Sequence, residues 1–171
     1  YHGFSLVWLP EVRRLLEQEM SKAVVLVDWH PEAFSACPVS GRDAVTTRPW
    51  RVAWDNGGGV VRSLTVPEDW RFGVATDKVP GFAMAILRGI VNCQHMQRSS
   101  CVHDLLYATE GGRRGEWTCT GAPIVLPFRD VSREEADAVA HAIALEDGIA
   151  PWEASVVHTA LRLFGRGAWN D

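Results

Sequence analysis

The sequence predicts an α+β fold in a single domain over residues 1–171, a small antiparallel sheet followed by a helical half. Three observations predict it. Apolar side chains alternate on both sides of a glycine-rich turn between residues 50 and 66, the period of paired strands. From residue 81 onward the apolar spacing becomes helical. The chain has 171 residues, 47% hydrophobic and 22% charged, which is one ordinary domain able to bury its own core.

The elements follow in order. Pro10 stands where a first-turn proline is tolerated, and Val12, Leu15, Leu16 and Met20 follow at helical spacing, predicting a short amphipathic helix over 10–20. Ala23 to Trp29 fits a buried strand, its apolar run ending at Asp28. From His30 to Pro49, proline, serine, threonine and glycine predict a loop. Trp50, Val52 and Trp54 then alternate with polar residues, Asp55-Asn56-Gly57-Gly58-Gly59 is a strong turn signal, and Val60 to Val66 returns as the partner strand. Trp70 to Ala75 predicts a further strand. Helices are expected over 81–92 and 95–108, the second ending at Gly111-Gly112. Residues 110–130 read as an irregular excursion around Ile124-Val125-Leu126. Ser132-Arg133-Glu134-Glu135 is a capping box, Ser132 as N-cap and Glu135 able to reach back, opening a helix that stops at Gly148. Pro151 opens the last helix and Gly165 closes it.

Composition narrows the function classes. The net charge of -4 disfavours a nucleic-acid binder, which needs a basic face. No apolar run approaches the ~18–20 residues of a membrane helix. Residues 1–20 carry no basic start followed by a long apolar block, the pattern of a secretory leader. Cys37, Cys93, Cys101 and Cys119 form no paired CxxC pattern and are expected as reduced thiols. Eight tryptophans stand against two tyrosines and six phenylalanines. Trp70 and Trp169 are expected in the core, and Trp50 and Trp54 on one sheet face. The surplus indoles suggest a partner surface.

The most suggestive chemistry lies in Cys101-Val102-His103-Asp104-Leu105-Leu106-Tyr107. On a helix His103 and Tyr107 share a face, while Asp104 points about 100° away, so one polar residue can face a cleft as the other orients a neighbouring element. Such a set serves general-base or metal chemistry, or is a satisfied core histidine beside a surface aspartate. Asp137 and His141, four apart on the capped helix, form either a local surface pair or a carboxylate turned inward to hold an imidazole. Cys93-Gln94-His95 and Cys101-Val102-His103 repeat a Cys-x-His pattern that zinc accepts, although the spacing is not a common structural one. Gly57 to Gly59 lacks the pattern of a phosphate loop, and no GxSxG serine elbow occurs.

Four pieces in order resemble a phage and prophage family, domain-of-unknown-function family 1353. They are Val66 to Asp77 ending in Thr76-Asp77, the His103-Asp104-Leu105-Leu106-Tyr107 helix, the Arg133-Glu134-Glu135-Ala136-Asp137 helix start, and Ala160 to Gly165 with Trp169. The likeness covers about residues 60–170 and leaves 1–59 as an unassigned extension packed on it. After Asp77 the sequence departs from the family's Gly-Ala-Ser, reading Lys78-Val79-Pro80-Gly81. The resemblance implies a phage origin and raises His103, Asp104, Tyr107, Asp77, Arg133 and Asp137 as a site. The same helix also looks like the phospholipase A2 arrangement, by which His103 would be the base, Asp104 a metal ligand and Asp137 the orienter.

Two functions are expected from this. One is a virion-associated structural or assembly protein, of the tail, made in the host cytoplasm and partnered by other virion proteins, with oligomeric assembly. The other is a small hydrolase of the bacterial envelope, acting on peptidoglycan or lipid. It would use His103, Asp104, Asp137 and Tyr107 as catalytic groups and a divalent metal at Asp77 and Asp104.

Overall fold

A computed structural model describes residues 24–40, 43–73, 96–118, 123–166 and 169 of the chain. The helices expected over 10–20 and 81–92 lie outside the described residues. The arrangement is α+β. Strands β1 (Val25–Val27), β2 (Ala36–Ser40), β3 (Asp43–Thr46), β4 (Trp50–Asp55), β5 (Val61–Val66) and β6 (Arg71–Gly73) come first. Helix α1 (Gln97–Ala108), the short strands β7 (Trp117–Thr118) and β8 (Pro123–Ile124), and helices α2 (Arg133–Glu146) and α3 (Pro151–Phe164) follow. All pairings are antiparallel.

Where one small sheet was expected, the described residues form two, ordered β1-β4-β5 and β2-β3-β6, besides the β7-β8 pair. The second sheet arises from the segment expected as loop. Its proline signal misleads because Pro38 sits on β2, an edge strand, where a missing N–H need not break a ladder. On β3, Ala44 and Thr46 alternate inward. Buried Thr46 fastens the following turn: its hydroxyl donates to the Pro67 carbonyl (2.6 Å) and accepts from the Trp70 N–H (2.9 Å). Residues 25–55, expected within an extension laid on the later core, thus supply strands to both sheets.

The β4–β5 hairpin follows its pattern, with Trp50, Val52 and Trp54 buried. Its turn is held by side-chain caps: Asp55 Oδ1 accepts from Gly57 N (2.8 Å) and Asn56 Oδ1 from Gly58 N (2.9 Å). The buried indoles find acceptors, as buried tryptophans must. Trp50 Nε1 donates to His30 O (3.1 Å), Trp54 Nε1 to Glu135 Oε1 (2.8 Å) and Trp70 Nε1 to Cys101 O (3.3 Å). Trp70 and Trp169 are core as expected, Trp50 and Trp54 are core rather than partner surface, and Trp29 packs edge-on against Trp50. The exposed indole among those with a described side chain is Trp152, at the start of α3.

Helices α1 and α2 close over the sheets through one core containing Leu64, Val66, Val102, Leu105, Leu106, Val139 and Ile143, while α3 packs on α2 through a smaller cluster of Met96, Ala144, Ile149 and Ala154. After α1 the chain turns at Gly111 and Gly112, both at positive φ (64° and 89°). A Cβ on Gly111 would fall on the Val131 carbonyl, and one on Gly112 on the Phe128 carbonyl. Only glycine lets the two segments pass this closely. Ser132 caps α2 as expected, accepting from Glu135 N (3.1 Å). The Glu135 side chain does not complete the capping box. It leaves its own helix for Trp54 Nε1 and for Arg62 Nε (3.0 Å), because a buried indole and a guanidinium compete for it.

Candidate functional site

The sequence places His103 and Tyr107 one turn apart on α1 and Asp137 one turn into α2, and the packing of those two helices brings all three together. Asp137 is wholly buried. Its Oδ1 accepts the Tyr107 hydroxyl at 2.6 Å and lies 3.2 Å from His103 Nε2. The two rings lie 4.0 Å apart at 32°. Asp137 Oδ2 has no hydrogen-bond partner but faces two guanidinium groups, Arg162 Nη1 at 3.7 Å and Arg133 Nη1 at 3.9 Å. Arg133 also donates to the Leu161 and Arg162 carbonyls at the end of α3 (3.3 and 3.1 Å), while Arg162 reaches Glu134 (2.9 Å).

Asp104, on another face of α1, orients a neighbouring element: its Oδ2 accepts from Gly73 N of β6 (2.9 Å). Its Oδ1 lies 3.5 Å from His103 Nδ1, so the imidazole has a carboxylate at each nitrogen. Above the cluster, Trp169 meets Tyr107 edge-on at 4.9 Å and 85°. Gly165 closes α3 with φ −72°, not in the left-handed form of a glycine cap. Its missing side chain matters for another reason, because a Cβ there would stand 2.5 Å from the Tyr107 hydroxyl and 2.6 Å from the Leu161 carbonyl.

The surroundings fix the protonation states. Burial alone lowers the His103 pKa, but hydrogen bonds and charges from Asp104 and Asp137 outweigh it and raise the value above the usual histidine range. Burial, reinforced by Asp137, pushes the Tyr107 hydroxyl far up, so it remains a donor. Burial raises the Cys101 thiol as well, with Asp104 adding to it, leaving a core thiol rather than a nucleophile or ligand.

Of the expected site residues, His103, Tyr107 and Asp137 share one network and Asp104 borders it. Asp77, Cys93 and His95 lie outside the described residues. Asp137 does not hold His141, its neighbour four residues on. That imidazole faces His158 of α3, with ring centroids 5.1 Å apart. Burial lowers its pKa, and the charge of His158 lowers it further. Among the described residues no group of three or more His, Cys, Asp or Glu is placed to hold a metal ion.

No family model, curated protein or solved structure matches the chain.

Sequence reasoning missed Arg162 and Gly165 as parts of the cluster. Arg162 lies on α3, 25 positions beyond Asp137, and no local spacing links the two. Gly165 carried a signal, but as a helix stop. Chemically, a general base needs a ring nitrogen turned towards a substrate. His103 Nε2 lies 3.2 Å from Asp137 and Nδ1 3.5 Å from Asp104, and the cluster joins α1 to α2, and through Arg133 and Arg162 to α3. No helix among the described residues is long and apolar enough to cross a membrane.

Proposed function

We propose that the chain is a structural or assembly protein of a bacteriophage particle, a tail component, in which the His103–Tyr107–Asp137 cluster is a buried brace. One observation carries the non-catalytic half of this reading: the imidazole has a carboxylate at each nitrogen, and the phenol spends its proton on the same wholly buried Asp137. The phage half rests on the resemblance of Val66–Asp77, His103–Tyr107, Arg133–Asp137 and Ala160–Gly165 to domain-of-unknown-function family 1353. Arginine-over-lysine usage, with two lysines among seventeen basic residues, also suits a protein made for interfaces.

The test is to propagate the phage that encodes the chain, purify particles and search them by mass spectrometry, for the parent and for His103→Ala. The expected result is a constant copy number in parent particles and a fall in assembled particles for the variant. Particles that lack the chain would overturn the virion assignment. Variant particles that assemble normally yet fail to infect would overturn the brace and favour the envelope hydrolase.

A further inference from the structure

His141 and His158 play no part in the brace, yet they face each other across the α2–α3 interface with ring centroids 5.1 Å apart and planes tilted by 39°. The pairings between these helices run antiparallel. Arg162 meets Glu134 and Asp137, then His158 meets His141, and beyond them Ala144 and Ala154 join a small apolar cluster with Met96 and Ile149. His141 Nε2 is buried with no hydrogen-bond partner. Buried polar atoms without a partner are uncommon, and an unplaced ion or water is one explanation for them.

We infer that His141 and His158 form a two-imidazole site for a divalent transition ion of the zinc class, which clamps α3 onto α2. Imidazole suits zinc, copper and nickel, and excludes the hard ions calcium and magnesium. The spacing fits. Two imidazoles on one tetrahedral ion, each nitrogen ~2.1 Å from the metal, hold their ring centres about 5 Å apart. Water would fill the remaining positions, so the ion would be exchangeable rather than locked in a closed structural cage. It would also give the orphaned His141 nitrogen a partner. The clamp acts on a helix that buries little of itself, for Ala154 is the only fully buried residue on α3 among those described.

Titration calorimetry of the full chain with zinc chloride near neutral pH tests this, with copper-loaded chain read by electron paramagnetic resonance. One ion per chain, a spectrum showing two imidazole nitrogens and a zinc-dependent rise in melting temperature are expected. His141→Gln and His158→Gln each weaken binding by about tenfold or more and abolish the rise. Circular dichroism reports whether each variant folds, and if His141→Gln does not, His158→Gln decides alone. No saturable binding by the parent chain, or undiminished binding by a folded variant, overturns the site.

Discussion

Tyr107→Phe removes one atom, the hydroxyl that donates to Asp137 Oδ1 at 2.6 Å. Asp137 is wholly buried, so solvent cannot replace the lost donor. Hydrogen bonds to charged groups contribute about 1.5–3 kcal/mol, and a loss of about 2 kcal/mol is expected because His103 Nε2 still serves the same oxygen. For a chain of this length that is about 4–8 °C in melting temperature. The same atom stands in the way of a side chain at residue 165. Gly165→Ala sets its methyl 2.5 Å from the hydroxyl and 2.6 Å from the Leu161 carbonyl; losing the hydroxyl relieves the first contact, leaving 3.3 Å to the nearest ring carbon, while the second persists in both backgrounds. The double variant should therefore be more stable than the sum of the single losses, by about 1 kcal/mol. Urea denaturation of the four chains, with slopes compared, measures this cycle. A Tyr107→Phe loss below ~0.5 kcal/mol, or strict additivity, would refute the claim that the phenol is a sealed donor pressed against Gly165.

Two further outcomes follow from the same geometry. The folded chain raises the His103 pKa above 6.5, so the stability this proton contributes is complete below about pH 6.5 and lost as pH rises through the folded value. Denaturation midpoints measured from mildly acid to mildly alkaline pH should fall on the alkaline side for the parent and flatten for His103→Gln. Gly111→Ala forces a methyl onto the Val131 carbonyl at a positive φ, and should cost about 3 kcal/mol or more, seen as a lowered melting temperature.

What was legible in the sequence was local. The β4–β5 hairpin could be read because Trp50, Val52 and Trp54 alternate and Asp55-Asn56-Gly57 carries its own turn chemistry. The start of α2 could be read because Ser132 satisfies an amide only three residues away. The loop expected over 30–49 became two strands because β3 pairs with β6, nearly 30 residues later, and no window of sequence contains that partner. The site shows the same division. His103 and Tyr107 were paired correctly because one helix turn separates them. Helical spacing alone pairs Asp137 with its own-helix neighbour His141; only the family-like arrangement pairs it with His103, and the packing of α2 on α1 makes that second pairing. Helical spacing says which residues share a face and does not say what that face meets. Trp152 illustrates the converse, an indole no different in sequence from Trp54 that ends in solvent because α3 turns it outward.

The bond between Trp54 and Glu135 joins residues 81 positions apart. A ribosome adds about 5–20 residues per second, so roughly 4–16 s separate the making of these two residues. Through that interval the indole has no α2 to receive its proton or cover its face. The nascent chain is therefore most exposed to wrong association while the hairpin waits for its helix. Slowing translation between the two lengthens that wait without changing the final fold, so codon choice across residues 55–135 is expected to alter soluble yield while leaving the melting temperature untouched.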